Sequence, residues 1–279
     1  MTGRIPGRAV QLAALLLAAV AISAISAGAA SAKVLYDNIP KTLPANFASI
    51  GFQATSTSEL GGEVELTKTS AKHAESLTVS AVMSSWACQT GGWSEDNCAT
   101  TPGASFNWPI TLKLYSVGAL GEPGALLGEE TQEFAIPYRP SASPQCKGEL
   151  AGTWWSTQGS GKHVTHACAN GIASRISFAP VSIGAPVPKQ LIVSLAYNTQ
   201  THGAHPTGSE GPENSLNVAL SESWEATLSK GLDPTEGLYA NSSWSEMYCG
   251  SSGELNVFAF TGTCWGPEGG YQPVIEVTS

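Results

Sequence analysis

Apolar residues recur at every second position in short runs along most of this chain, and that period restricts what it can build. Leu191, Val193, Leu195 and Tyr197 fall on one face of 191–197, and Ile110, Leu112 and Leu114 do the same in 110–114. Leu216, Val218 and Leu220 repeat the pattern in 216–220. Successive side chains of a strand point to opposite faces, so this alternation predicts strands with one buried face. Further strands are predicted over 34–37, 47–54, 63–67, 76–83, 130–136, 173–179, 237–241, 255–260 and 273–278. Pro273 suits a strand start or a sheet edge, because it has no N–H to give to a ladder. Residues 219–231 are the best helix or turn candidate, and no segment keeps a helical period over three turns. About a dozen strands separated by Gly- and Pro-rich turns predict an all-β fold, a jelly-roll-like antiparallel β-sandwich with disulfide-stapled loops. No low-complexity linker divides the chain, so one domain is expected.

The N-terminus predicts export. Arg4 and Arg8 precede an apolar run from Leu12 to Ile25, and the small-residue site Ala30-Ser31-Ala32 follows. That order is the order of a secretory signal peptide, here residues 1–32, which leaves 33–279 as the sandwich. An uncleaved span needs about 20 apolar residues, and the small-residue site favours cleavage instead. No membrane span is expected after cleavage, and a secreted protein is. All six cysteines lie in the exported part: Cys88, Cys98, Cys146, Cys168, Cys249 and Cys264. An even count in an exported chain predicts disulfides. The local couples Cys88–Cys98, Cys146–Cys168 and Cys249–Cys264 each enclose a Gly- and Ser-rich loop with too few apolar residues to order itself, so these are the expected pairings. No Cys-x-x-Cys pair suggests zinc.

Charge removes several partners. Arg4 and Arg8 leave with the signal, so the 13 basic residues fall to 11 against 22 acidic ones. A phosphate backbone needs clustered Lys and Arg, which excludes nucleic acid, and an acidic wall polymer is repelled at long range.

Several strand and turn segments occur in a familiar order. They are Val34-Leu-Tyr-Asp-Asn38, Ser49-Ile-Gly-Phe52, Ser56-Thr-Ser-Glu-Leu60, Leu77-Thr-Val79, Leu112-Lys-Leu-Tyr-Ser116 and Pro123-Gly-Ala-Leu-Leu127. This order resembles secreted bacterial β-sandwich domains of the choice-of-anchor type, and a set of exported actinobacterial β-sandwich proteins. It covers residues 34–136 and the strand at 190–197. The resemblance implies a surface or secreted sandwich without known catalysis, and it brings no functional residues. The cysteine-stapled loops and the lack of an apolar C-terminal tail depart from it.

Chemistry concentrates in aromatic loops. Eight tryptophans are present, and Trp86, Trp93, Trp154, Trp155, Trp244 and Trp265 flank the cysteines. An indole on a rigid loop can stack on the apolar face of a sugar ring. Trp86 and Trp265 are expected to pack on disulfides or core. Trp154 and Trp155 are adjacent, so in a strand they point to opposite faces and one is exposed. The ligand-binding candidates are therefore Trp93, Trp154, Trp155 and Trp244. His163, His166, His202 and His205 form two His-x-x-His pairs in the two long irregular stretches, 138–171 and 198–214. They could hold Zn²⁺ or Cu²⁺ only if those stretches meet; otherwise they are solvated. Glu95, Asp96 and Asn97 suit calcium or an ordinary turn. Glu63 and Glu65 share a strand face as a hydrolase pair would, but Lys68 and Lys72 nearby favour solvated positions. Gly159-Ser-Gly-Lys162 lacks the upstream glycine of a phosphate loop. No nucleophile elbow is visible, so no catalytic residue is assigned and no cofactor is expected. The reading that results is a non-catalytic sandwich binding glycan or cell-envelope material through loop aromatics. The alternatives are an extracellular polysaccharide hydrolase and a structural surface protein with no small ligand.

Overall fold

The computed structural model describes residues 32–67, 75–158, 164–183, 186–222, 228–235, 237–243, 257–262 and 271–279. Among them run β1 (Val34–Asp37), β2 (Ala48–Gly51), β3 (Thr57–Glu65), β4 (Ser76–Ser85), β5 (Ser105–Val117), β6 (Pro123–Pro137), β7 (Trp154–Gln158) and β8 (Thr165–Ala169). They are followed by β9 (Ile172–Ser177), β10 (Val181–Ser182), β11 (Gln190–Ala196), β12 (Leu216–Glu222), β13 (Leu238–Ser242), β14 (Ala259–Gly262), β15 (Tyr271–Pro273) and β16 (Ile275–Thr278). No α-helix occurs among the described residues. Sheet A has the order β1-β16-β4-β12-β15, with β2 on β12 and with β9 and β10 on β4. Sheet B has the order β14-β13-β3-β11-β5-β6, and β7–β8 form a separate ribbon. The two large sheets pack face to face as the predicted antiparallel sandwich.

The alternation explains the packing. Leu191, Val193 and Leu195 of β11 and Ile110, Leu112 and Leu114 of β5 meet Leu77, Val79, Ala81 and Met83 of β4 in one buried core. Each fully buried side chain of this size stabilises the fold by about 1.5–3 kcal/mol. Apolar residues at outward positions of sheet A have their own cover. Val82, Ala219 and Val274 pack with Ile39 beneath Leu43 and Phe47 of the 38–47 loop.

Two expectations change. Residues 219–222 complete β12 rather than starting a helix. There β12 pairs with β2 over Asn217–Leu220 and with β15 over Leu220–Glu222, so partners on the sheet satisfy its backbone. The predicted strand 273–278 is two strands divided at Val274, and Pro273 ends β15 at the edge of sheet A.

The register brings the irregular segments together. Ser85 pairs with Leu216 and Ile172, Ser105 with Pro137, and Thr111 with Ala196. The connections 86–104, 138–171 and 197–215 therefore leave the same end of the sandwich. Backbone bonds cross between them there, among them Trp86 N–H to the Ser215 carbonyl at 2.8 Å, Arg139 N–H to the Ala87 carbonyl at 2.9 Å and Ala142 N–H to the Cys98 carbonyl at 2.9 Å. Cys88–Cys98 and Cys146–Cys168 are bonded in this end, as the local pairing anticipates. Disulfides of this kind belong to an oxidising compartment. Cys249, Cys264 and residues 1–31 lie outside the described residues. No helix among the described residues is long and apolar enough to cross a membrane.

Candidate functional site

The stapled end is built from loops that lock one another. In the Cys88–Cys98 loop, Thr90 and Ala99 exchange backbone hydrogen bonds of 3.0 and 2.9 Å. The Asn97 side chain accepts from Gly92 N–H at 2.8 Å and donates to Glu95 at 3.2 Å. Asp96 takes the left-handed φ of 58° that closes this turn. Glu95, Asp96 and Asn97, candidates for calcium, thus serve the turn itself. Asp96 also rests on Gly152, whose φ is +81°; a methyl group there would lie 2.3 Å from the Asp96 carboxylate. Arg139 passes between the two loops with 0% exposure and donates to the carbonyls of Gly152 and Pro140. Burial lowers its pKa.

The β7–β8 ribbon carries the paired tryptophans. They point to opposite faces, as strand geometry predicts. Trp154 turns inward and donates its Nε1–H to the Gly171 carbonyl at 2.9 Å. Trp155 turns outward, is 37% exposed, and stands directly opposite Cys168. His166 stacks on it with centroids 5.3 Å apart at 13°. The ribbon is moored to the 38–47 loop by Gln158 Nε2 donating to the Leu43 carbonyl at 3.2 Å and Gly171 N–H donating to Asn46 at 3.3 Å. Gly171 must lack a side chain, because a Cβ would sit 2.4 Å from the Trp86 ring. Trp86 is half-buried, as expected of a packing residue, and it props Trp93 edge-on at 4.9 Å and 76°. Trp93 is 43% exposed.

These rings border open grooves. One, of about 660 Å³, is lined by Trp154, Trp155, Tyr138 and the prolines Pro137, Pro140 and Pro144 among others, with no carboxylate, imidazole or basic group among the described residues of its walls. A second, of about 320 Å³, runs from Tyr138 past Trp93 to Glu95 and Glu210. A third, of about 330 Å³, continues from Trp154 to Leu43 and Thr157. Tyr138 and the prolines escaped the sequence reading. Their signal is present in Pro137-Tyr-Arg-Pro-Ser-Ala-Ser-Pro144, a stiff aromatic segment directly before Cys146. Trp244 and Trp265 lie outside the described residues.

The histidine pairs are used locally. His166 Nδ1 lies 3.1 Å from Thr157 Oγ1. His202 and His205 are held in the 198–214 loop through their backbones, by Thr199 and Asn198. Burial lowers the pKa of His202. His163 lies outside the described residues, among which no three His, Cys, Asp or Glu residues converge as metal ligands.

The acidic pair on β3 departs from expectation. Glu63 is 3% exposed rather than solvated, and Glu65 pairs with Lys189 at 2.5 Å; Lys68 and Lys72 lie outside the described residues. The Tyr239 hydroxyl sits 3.3 Å from Glu63 but 2.7 Å from the Gly121 carbonyl, so its one proton serves Gly121 better. Burial raises the Glu63 pKa, the Tyr239 hydroxyl opposes this, and the Glu65 charge adds to it. A carboxyl whose pKa is raised on folding favours the folded state below its unfolded value, 4.5 here, and that contribution is lost as pH rises through the folded value. Glu63→Gln is therefore expected to raise the melting temperature at pH 7.5 and leave it unchanged at pH 4. Scanning calorimetry at both values checks this, and an equal shift at both would remove the ionisation argument.

No protein-family model, curated protein or solved structure matches this chain.

Proposed function

We propose that this is an exported, non-catalytic β-sandwich protein that binds a glycan of the cell envelope or its surroundings at the stapled end. The observation that carries the reading is the groove of about 660 Å³ between Trp154, Trp155 and Tyr138. Its volume falls within the roughly 300–1,000 Å³ of small-ligand sites. Flat rings and prolines offer apolar faces for sugar rings at little entropic cost, since the disulfides and Arg139 already hold them in place. The described residues of the groove walls include no acid–base group, which supports binding over hydrolysis. The acid pair a hydrolase would need finds its nearest counterpart in Glu63 and Glu65, and these lie on the outer face of sheet B, away from the groove residues. This reading requires no cofactor. The export signal at 1–32 and the resemblance over 34–136 support a secreted or surface setting.

The test is a pull-down of residues 33–279 on insoluble polysaccharides, with a glycan array. Trp155→Ala is expected to weaken retention about tenfold, the equivalent of losing roughly 1.4 kcal/mol of stacking. Phe260→Ala, on the outer face of sheet B, is expected to change nothing. Absence of retention on every polymer, or equal retention by Trp155→Ala, returns the protein to a structural role.

A further inference from the structure

The three grooves adjoin through shared lining residues. The 330 Å³ and 660 Å³ grooves share Trp154 and Ile172, and the 660 Å³ and 320 Å³ grooves share Tyr138. In that order they adjoin across the stapled end, with an indole or a phenol common to each adjoining pair. A track of three compartments fits a chain ligand better than a single ring. Its two ends differ in charge. The 330 Å³ end has no ionised group among the described residues of its walls. The Trp93 end has Glu95 and Glu210, and among the described residues no Lys, Arg or His lines it. Both carboxylates are exposed, and neither forms one of the ion pairs seen among the described residues. Two unneutralised carboxylates beside an exposed indole are a recognition set for an ammonium group, through charge and through the face of the ring. The net charge of −9 acts in the same direction, attracting a cationic polymer and repelling a uronic-acid polymer.

Resting on the glycan reading above, we infer that the track takes a linear amino-sugar polymer of at least three units with free amines, and that one ammonium sits between Trp93, Glu95 and Glu210. The stretch 137–144 then acts as the wall along which the chain lies, and the Cys88–Cys98 loop acts as the cation end. Salt weakens binding, since the cation contact is exposed and screened.

The test is isothermal titration at pH 6 with four probes: the glucosamine hexamer, the glucosamine dimer, the N-acetylglucosamine hexamer and a galacturonate hexamer. The glucosamine hexamer is expected to bind at least tenfold more tightly than its dimer and at least tenfold more tightly than the N-acetylated hexamer. Galacturonate is expected not to bind. In Glu95→Gln with Glu210→Gln, where the side-chain carbonyl introduced at position 95 can still accept from Asn97, the preference for free amines is expected to vanish while the N-acetylated hexamer keeps its affinity. Equal affinity for the two amino-sugar hexamers, or a preference that survives the double substitution, overturns the ammonium assignment and leaves the glycan reading standing. A dimer as tight as the hexamer overturns the continuous track. No binding of any probe, together with no retention on neutral polysaccharides, overturns both readings.

Discussion

Cys146→Ala with Cys168→Ala is expected to unfold the 138–171 excursion while both large sheets stay folded. The reason lies in what holds the β7–β8 ribbon. It belongs to neither sheet, and an isolated two-stranded ribbon is at best marginally stable. Among the described residues it is moored by Gln158 to Leu43 and Gly171 to Asn46, while Trp154 to Gly171 and Arg139 to Gly152 are bonds within the excursion, whose first residues are tied to the 86–104 connection by the N–H groups of Tyr138, Arg139 and Ala142. Net contributions of about 1 kcal/mol per hydrogen bond do not offset the entropy of ordering so long a stretch. The disulfide spans 22 residues, and closing such a loop removes about 3 kcal/mol of entropy from the open state. Hydrogen exchange is the direct measurement. Amides of 154–158 and 165–169 are expected to lose protection by at least a hundredfold, and those of β4 and β11 to keep it. Ligand binding is expected to fall with the ribbon, because Trp155 loses its fixed position. Protection of β11 falling in parallel with that of β7 would show that the excursion and the sandwich unfold as one unit.

The strands of the sandwich core were the most legible part of this chain. The runs at 191–197 and 216–220 announce β11 and β12 because each has one face in the main core and one outside it. Legibility fails where that asymmetry fails. The first half of β6, 123–129, is an edge strand with little buried surface, so its side chains carry no alternation, and only 130–136 could be read. Pro109 interrupts the early part of β5. It is tolerated because β11 pairs only from Thr111 onward, leaving β5 a single neighbour at that point. The two described disulfides were legible because each closes a short loop. Of the candidate site, the tryptophans could be read from their type and place. The groove could not, since Tyr138 reaches Trp93 on one side and Trp155 on the other only through loops joined by Arg139 and Gly152. Glu63 shows the same limit from the other direction. Alternation correctly turns it outward from the core, but Gly121 from the β5–β6 loop contacts Tyr239 above it, and Phe258 lies over Tyr115 and Tyr239. Outward in this sheet is not the same as solvated.

That covered face makes Glu59 the side chain whose loss is expected to be most costly. Glu59 is 5% exposed and accepts from three donors: Lys113 Nζ at 2.8 Å, Tyr115 Oη at 2.9 Å and Ser194 Oγ at 2.6 Å. They come from β5 and β11, so one carboxylate ties β3 to its neighbour and to the strand beyond. Burial and the Glu59 charge keep the Tyr115 phenol protonated by raising its pKa, so it remains a donor at all ordinary pH values. Glu59→Ala strands the buried Ser194 hydroxyl, the half-buried Tyr115 hydroxyl and a partly exposed ammonium, and at about 1–3 kcal/mol for each unpaired hydroxyl the expected cost is about 3–5 kcal/mol. For a chain of this size that corresponds to a fall of roughly 10 °C in melting temperature. Lys113 is about a quarter exposed along its side chain and can turn to water, so the stranded hydroxyls carry most of the cost. Two further variants separate charge from hydrogen bonding. Glu59→Gln keeps the acceptor for Tyr115 and Ser194 and is expected to lose only about 1–2 kcal/mol. Glu59→Leu combined with Tyr115→Phe and Ser194→Ala removes donors and acceptor together and is expected to recover much of the loss, because no buried polar group is left alone. Urea denaturation of the four proteins reads these differences. If the triple variant is as unstable as Glu59→Ala, the cost lies in lost shape rather than in unpaired donors.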